Sequence, residues 1–249
     1  SAGNDITTGT INTLIGGLAG DALTVGNSNV ALGYSALSAD TKGDRNVAIG
    51  TNALMLQNFT TSTDSFNTAV GANAGYVLTT GVQNTLIGGL AGDAITTGTA
   101  NVAVGYLSLS ASTTGTDNVA LGRSALASST TASNNIAIGR NALILNTTGA
   151  NNIAIGYGSM FANTTGNSNV AMGYNSLTSD TLGDRAVAIG LNALSSQNFT
   201  SSTDNYNVGI GYAAGGSVTT AIHNTLIGGL AGNSLTTGGG NTIMGYAAG

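Results

Sequence analysis

A 17-residue period runs through this chain from end to end, and any fold must accommodate it. Fourteen short phrases of the type NVAIG open on an anchor: Asn12, Asn29, Asn46, Asn67, Asn84, Asn101, Asn118, Asn135, Asn152, Asn169, Ala186, Asn207, Asn224 and Asn241. Successive anchors stand 17 residues apart, except for two steps of 21, Asn46 to Asn67 and Ala186 to Asn207. A fixed period of this size marks a repeat architecture, because one repeat cannot bury its own apolar face and must stack on its neighbours.

Each position within the period has a chemical identity. One residue after the anchor is Val, Ile or Thr, three after is aliphatic, and four after is Gly in all fourteen copies. Twelve after is Thr in the 17-residue repeats and Asn58 or Asn198 in the longer ones. A second order overlies the first. Residues 27–106 resemble 167–246, a shift of 140, as GDRNVAIG (43–50) against GDRAVAIG (183–190) illustrates. Tandem duplication of an eight-repeat block explains this, and residues 1–249 read as a single repetitive region.

Alternating apolar positions predict a short strand, and the following Gly ends it where positive φ or close backbone approach is required. Glycine and β-branched residues in every repeat exclude a helix. The expected fold is all-β, a parallel β-solenoid of about fourteen coils stacked roughly 4.8 Å apart. In this reading the Val and Ile columns form the dry core. Asn and Thr columns hydrogen-bond along the axis, and the small Ala/Gly face is left for other chains. So thin a core calls for partners, and a homo-oligomer, with three chains favoured, is expected.

Composition supports the exclusion of several classes. Charged residues are 6% of the chain, against about 25% in ordinary soluble proteins. No apolar run approaches the roughly 18 residues of a spanning helix, so membrane insertion is not expected of this segment. Ten Asp oppose one Lys and four Arg with no basic cluster, which argues against a nucleic-acid partner. The absence of Cys removes disulfides and thiolate metal sites. The start at Ser1, without Met or a signal-like segment, suggests a piece of something longer.

The phrases NVAIGTNAL (46–54), NIAIGRNAL (135–143) and NIAIGYGSM (152–160) resemble the head repeats of YadA-like trimeric autotransporter adhesins. They are also similar to the NTxIGYNAG-type repeats of phage tail fibres and large bacterial surface proteins. The resemblance covers essentially the whole chain. It implies a trimeric parallel β-roll, placement outside the cell or on a virion, and attachment to a host or matrix.

No catalytic constellation is expected. All the acids are Asp, mostly in turns, and the one His, His223, reads as a solvated turn residue. The GGLAG phrase lacks the Lys of a phosphate loop, and the Asp residues do not follow a calcium-roll pattern, so neither cofactor nor metal is predicted. Asp44 and Arg45, with Asp184 and Arg185, are expected to form surface pairs or turn caps. The best contact candidates lie five after the anchor: Tyr34, Tyr106, Tyr157, Tyr174, Tyr212 and Tyr246, with Arg123 and Arg140. Tyr and Arg are favoured at interface hot spots, and these residues would stack within the fibre or touch a target. The 21-residue repeats add Phe59 and Phe66, or Phe199 and Tyr206, which would seal against a neighbouring chain or contact a target. A structural or adhesive fibre is the leading expectation. An ice-binding solenoid using Thr and Asn ladders is the alternative.

Overall fold

A computed structural model describes residues 1–249, which contain strands and turns but no helix. The chain divides into two units, Ser1–Arg123 and Ser124–Gly249, each holding seven of the fourteen coils. The first unit contains β1 (Thr13–Ile15), β2 (Val30–Leu32), β3 (Gly43–Asp44), β4 (Val47–Ile49), β5 (Thr63–Asp64), β6 (Thr68–Val70), β7 (Thr85–Ile87), β8 (Val102–Val104) and β9 (Val119–Leu121). The second contains β10 (Ile136–Ile138), β11 (Ile153–Ile155), β12 (Val170–Met172), β13 (Gly183–Asp184), β14 (Val187–Ile189), β15 (Thr203–Asp204), β16 (Val208–Ile210), β17 (Thr225–Ile227) and β18 (Thr242–Met244). In the first unit the main ladder runs β1-β2-β4-β6-β7-β8-β9, and in the second β10-β11-β12-β14-β16-β17-β18. Pairing is parallel, with like columns in register: Ala137 faces Ala154, and Ile138 faces Ile155. The expected β-solenoid is therefore the fold. Each long coil carries a second short pairing, β3 with β5 and β13 with β15.

The interior reverses one expectation. The middle residue of the strand points inward and is fully buried, as at Ala31, Ala48, Ala103, Ala120, Ala137, Ala154, Ala171 and Ala188. The flanking aliphatics are partly exposed, reaching 56% at Ile15 and 42% at Leu32. The Val/Ile columns are thus outside and the Ala column inside.

The cause is a second wall. Eight after the anchor, Leu37, Leu54, Leu109, Leu126, Leu143, Met160, Leu177 and Leu194 are buried. They project into the narrow cross-section and leave room for only a methyl opposite. Where that position is Gly instead, an aliphatic appears three residues later, as in Gly20 with Leu23, Gly75 with Leu78, Gly92 with Ile95, Gly215 with Val218 and Gly232 with Leu235. A side-chain carbon on Gly92 would lie 2.8 Å from both Ile95 and Leu86. One interior volume is filled in two interchangeable ways, which is the close packing that protein cores require.

The anchor asparagines behave as expected. Asn84 is fully buried. It donates from Nδ2 to Gly98 O at 2.9 Å and to Asn67 Oδ1 at 3.2 Å, and its Oδ1 accepts from Asn101 N at 3.1 Å. Each carboxamide therefore satisfies backbone groups at a corner where three-residue strands cannot. Thr columns add a second ladder, with Thr79 Oγ1 donating to Thr96 O at 3.0 Å.

When Leu fills the position eight after the anchor, the position eleven after is polar. There Asp40 and Asp180 are buried carboxylates without a cation. Asp180 accepts from Gln197 Nε2 at 2.6 Å, Gly183 N at 3.0 Å and Phe199 N at 3.3 Å. Burial pushes both carboxyls above the usual range, and these donors partly offset it. The folded chain thus holds these protons more tightly than the unfolded chain. Their contribution favours folding below the ordinary Asp range, near pH 4, and declines as pH rises through the window up to the raised values. The thermal midpoint should climb on acidification from neutral pH toward about 4. A midpoint that falls throughout that interval would contradict this.

Candidate interaction surfaces

The strand faces outward at positions one and three after the anchor, and the Gly turn delivers position five to the same side. Each of the fourteen strand Gly residues has φ between 122° and 142°, and within each unit the next coil's Gly backbone leaves no room for a side chain: a Cβ on Gly33 would stand 2.5 Å from Gly50 O, and one on Gly173 would stand 2.5 Å from Gly190 O. This close approach keeps position five stacked from coil to coil. Tyr34, Tyr106, Tyr157, Tyr174, Tyr212 and Tyr246 are all exposed there, as are Arg123 and Arg140. Where the preceding coil has Gly, the tyrosine ring lies over it: a Cβ on Gly17 would be 3.4 Å from the Tyr34 ring. In the second unit three residues form a continuous stack. The Arg140 guanidinium lies 5.8 Å from the Tyr157 ring centre, and the Tyr157 and Tyr174 rings are 5.1 Å apart and 11° from parallel.

The two long coils build a different corner. Phe59 and Phe199 are only 6% and 5% exposed, so they are sealed within their own chain. Phe66 and Tyr206 stay half-exposed. Arg45 reaches Phe66 at 5.5 Å and forms an ion pair with Asp64, while Arg185 does the same with Tyr206 and Asp204. These pairs are about half-exposed, so each contributes at most about 1 kcal/mol. The neighbours in sequence do not pair with each other. Asp44 is instead buried and caps a turn, accepting from Asn27 N and Ser62 Oγ at 2.6 Å each. His223 is exposed and stacks on Tyr206 at 5.8 Å. Asn27, Ser28, Asp44, Arg45 and Asp64 line a cleft of about 100 Å³, and their counterparts Asn167, Ser168, Asp184, Arg185 and Asp204 line one of about 130 Å³.

A larger cleft, about 310 Å³, was not foreseen from the sequence. Asn52, Asn73, Tyr76, Leu90 and Asp93 line it. These residues come from three successive coils of the first unit, and only the register brings them together. The one available signal was Tyr76, which stands outside both the tyrosine column and the long-coil inserts.

Chemically, the aliphatic and tyrosine columns form a partly exposed apolar face, the long-coil corners are structural braces, and the larger cleft is a polar recess. No group of three His or Asp side chains is arranged to hold a metal ion. Compared with family models, curated proteins and solved structures, the chain matches none.

Proposed function

We propose that the chain is a segment of a homo-oligomeric structural and adhesive fibre, located outside the cell or on a virion, acting by reach and multivalent attachment. The outward aliphatic columns carry this reading. Every coil places an aliphatic three after its anchor, and Ile15, Leu32, Ile87, Met172 and Met244 exceed one third exposure in the single chain. Seven coils at about 4.8 Å make a strip roughly 30 Å long in each unit, bordered by tyrosines. Contiguous apolar surface beyond a few hundred Å² is seldom left uncovered on a monomer, so a continuous aliphatic strip calls for a cover. A second copy presents the same columns at the same spacing and is a suitable cover. Three chains closing about one axis would bury a strip from each, and the resemblance to trimeric adhesin heads and tail-fibre repeats points the same way. Any residual exposed Tyr and Arg sites would bind weakly one by one and strongly in series.

The ice-binding alternative gains no support. The Thr hydroxyls it would present are donated along the axis, as in Thr24 to Thr41 O and Thr147 to Thr164 O, both at 3.0 Å.

Sedimentation equilibrium tests the proposal. The chain should run at three times 24.2 kDa. Ile138→Asp combined with Ile155→Asp should shift the mass to that of a single chain while the circular-dichroism spectrum is retained. A monomeric wild type, or an oligomer indifferent to these outward charges, would refute it.

A further inference from the structure

We propose that the cleft formed by Asn52, Asn73, Tyr76, Leu90 and Asp93 is a binding site for a polyhydroxylated sugar ring. Its volume, about 310 Å³, lies at the lower end of ligand-binding clefts, where a single ring fits.

The lining specifies the chemistry. Asn52 Nδ2 donates to Asn73 Oδ1 at 3.0 Å, which orients both carboxamides and leaves Asn52 Oδ1 as an acceptor and Asn73 Nδ2 as a donor. Asp93 Oδ1 is buried and has no hydrogen-bond partner. A carboxylate oxygen in that condition leaves the group short of donors, while the Asp93 side chain as a whole is only partly buried and borders the cleft. Burial also pushes the Asp93 carboxyl above the usual range, opposed by a hydrogen bond from its own backbone N–H. The Tyr76 hydroxyl can donate or accept, and its ring together with Leu90 supplies an apolar wall. Donors and acceptors therefore alternate beside an apolar surface. Vicinal hydroxyls, each of which both donates and accepts, match that arrangement, and the C–H face of a sugar suits the wall. A simple ammonium would use only the acceptors, and an anion would meet the carboxylate.

The duplicated block supplies an internal comparison. The long-coil corner keeps all five lining residues between blocks: Asn27, Ser28, Asp44, Arg45 and Asp64 recur as Asn167, Ser168, Asp184, Arg185 and Asp204. Such retention is what a structural brace requires. In the larger cleft three of the five differ, with Ala213, Gly216 and Asn233 standing where the first block has Asn73, Tyr76 and Asp93. The recess there is occupied differently: a Cβ on Gly216 would lie 2.8 Å from Asn233 Oδ1. The fold thus tolerates either set, and the set with the carboxylate, the tyrosine and the second carboxamide is not a folding requirement.

This inference does not rest on the fibre reading, since the lining belongs to one chain. Saturation-transfer NMR on the full chain with glucose, galactose, mannose and N-acetylglucosamine, each tested separately, examines it. At least one should receive magnetisation, with affinity of the order of millimolar, as expected for so small a ligand. Asp93→Ala should weaken that sugar at least about tenfold. The block-exchange variant Asn73→Ala, Tyr76→Gly, Asp93→Asn carries residues already accommodated at the equivalent place, so it should fold with an unchanged circular-dichroism spectrum and lose binding. Transfer to none of the four sugars, undiminished transfer in the exchange variant, or binding of tetramethylammonium in place of any sugar would overturn the proposal.

Discussion

Gly139→Ala should destabilise the chain by about 3 kcal/mol or more, whereas Gly240→Ala should cost only about 1 kcal/mol. Gly139 has φ 130°, outside the left-handed well that other residues occasionally enter, and an added Cβ would stand 2.5 Å from Gly156 O. The obstacle is the backbone of the next coil, so no side-chain rotation can relieve it. Gly240 has φ 74° and nothing within 4 Å of such a carbon. It also occupies a column in which Ser28, Asn151 and Ser168 already adopt φ near 60°. The two substitutions are chemically identical and differ only in setting. Denaturant and thermal melts of both should separate clearly. Hydrogen exchange should accelerate chiefly in the coils next to Gly139, because stability in a stacked-repeat protein is shared between nearest neighbours. Equal costs would show that the close coil-to-coil approach at this Gly is wrongly placed.

The second large effect comes from the single interruption in the anchor column. In the first block Asn46 is fully buried. Its Oδ1 accepts from Ser65 Oγ at 2.8 Å and from Asn67 N at 3.3 Å. In the second block the anchor is Ala186 and can do neither. Asn205 stands where Ser65 would be, accepts from Asn207 N at 2.9 Å and donates to Asp184 O at 2.7 Å. The two blocks satisfy the same buried N–H in different ways. Asn46→Ala alone should therefore cost about 2 kcal/mol, since it leaves that donor without an acceptor in a dry corner. Adding Ser65→Asn should restore most of the loss, with a coupling of about 1–3 kcal/mol in a double-mutant cycle. Strictly additive effects would mean that the exchange between the blocks is unrelated to this hydrogen bond.

Much of the architecture is legible in the residue pattern alone. The 17-residue step gave the coil, Val-Ala-Ile alternation gave the strand, and the unbroken Gly column gave its end. The anchor asparagines were recognisable as a ladder because a polar residue repeated at one phase of a stacked fold has like residues above and below it. The inside and outside of the strand were not assigned correctly. Placing the bulkier face inward is sound for a wide sheet sandwich, but this coil is narrow and its opposite wall already carries Leu37, Leu54 or Leu143. The correlation between Gly eight after the anchor and an aliphatic eleven after is present in the sequence and reveals that second wall.

The sites divide in the same way. The tyrosine column was identifiable because its spacing is that of the repeat, and its members are exposed. Phe59 and Phe199 looked like contacts only because aromatic residues in an insert suggest a protrusion. In fact each lies beside the backbone that caps Asp40 or Asp180, and donates its own N–H at 3.3 Å to that carboxylate. The recess around Asp93 could not be read locally, since its lining is contributed by three successive coils, between residues 52 and 93.

In-register stacking underlies all of these expectations, and spin labelling tests it most directly. The chain has no native cysteine, so nitroxides attached through Tyr157→Cys and Tyr174→Cys, with labelled chains diluted into unlabelled ones, report a single intramolecular separation. Equivalent positions on adjacent coils, about one strand spacing of 4.8 Å apart at the backbone, should give strong dipolar broadening absent from either single label. A doubly labelled spectrum equal to the sum of the two single ones would contradict the stacked coil and everything built on it.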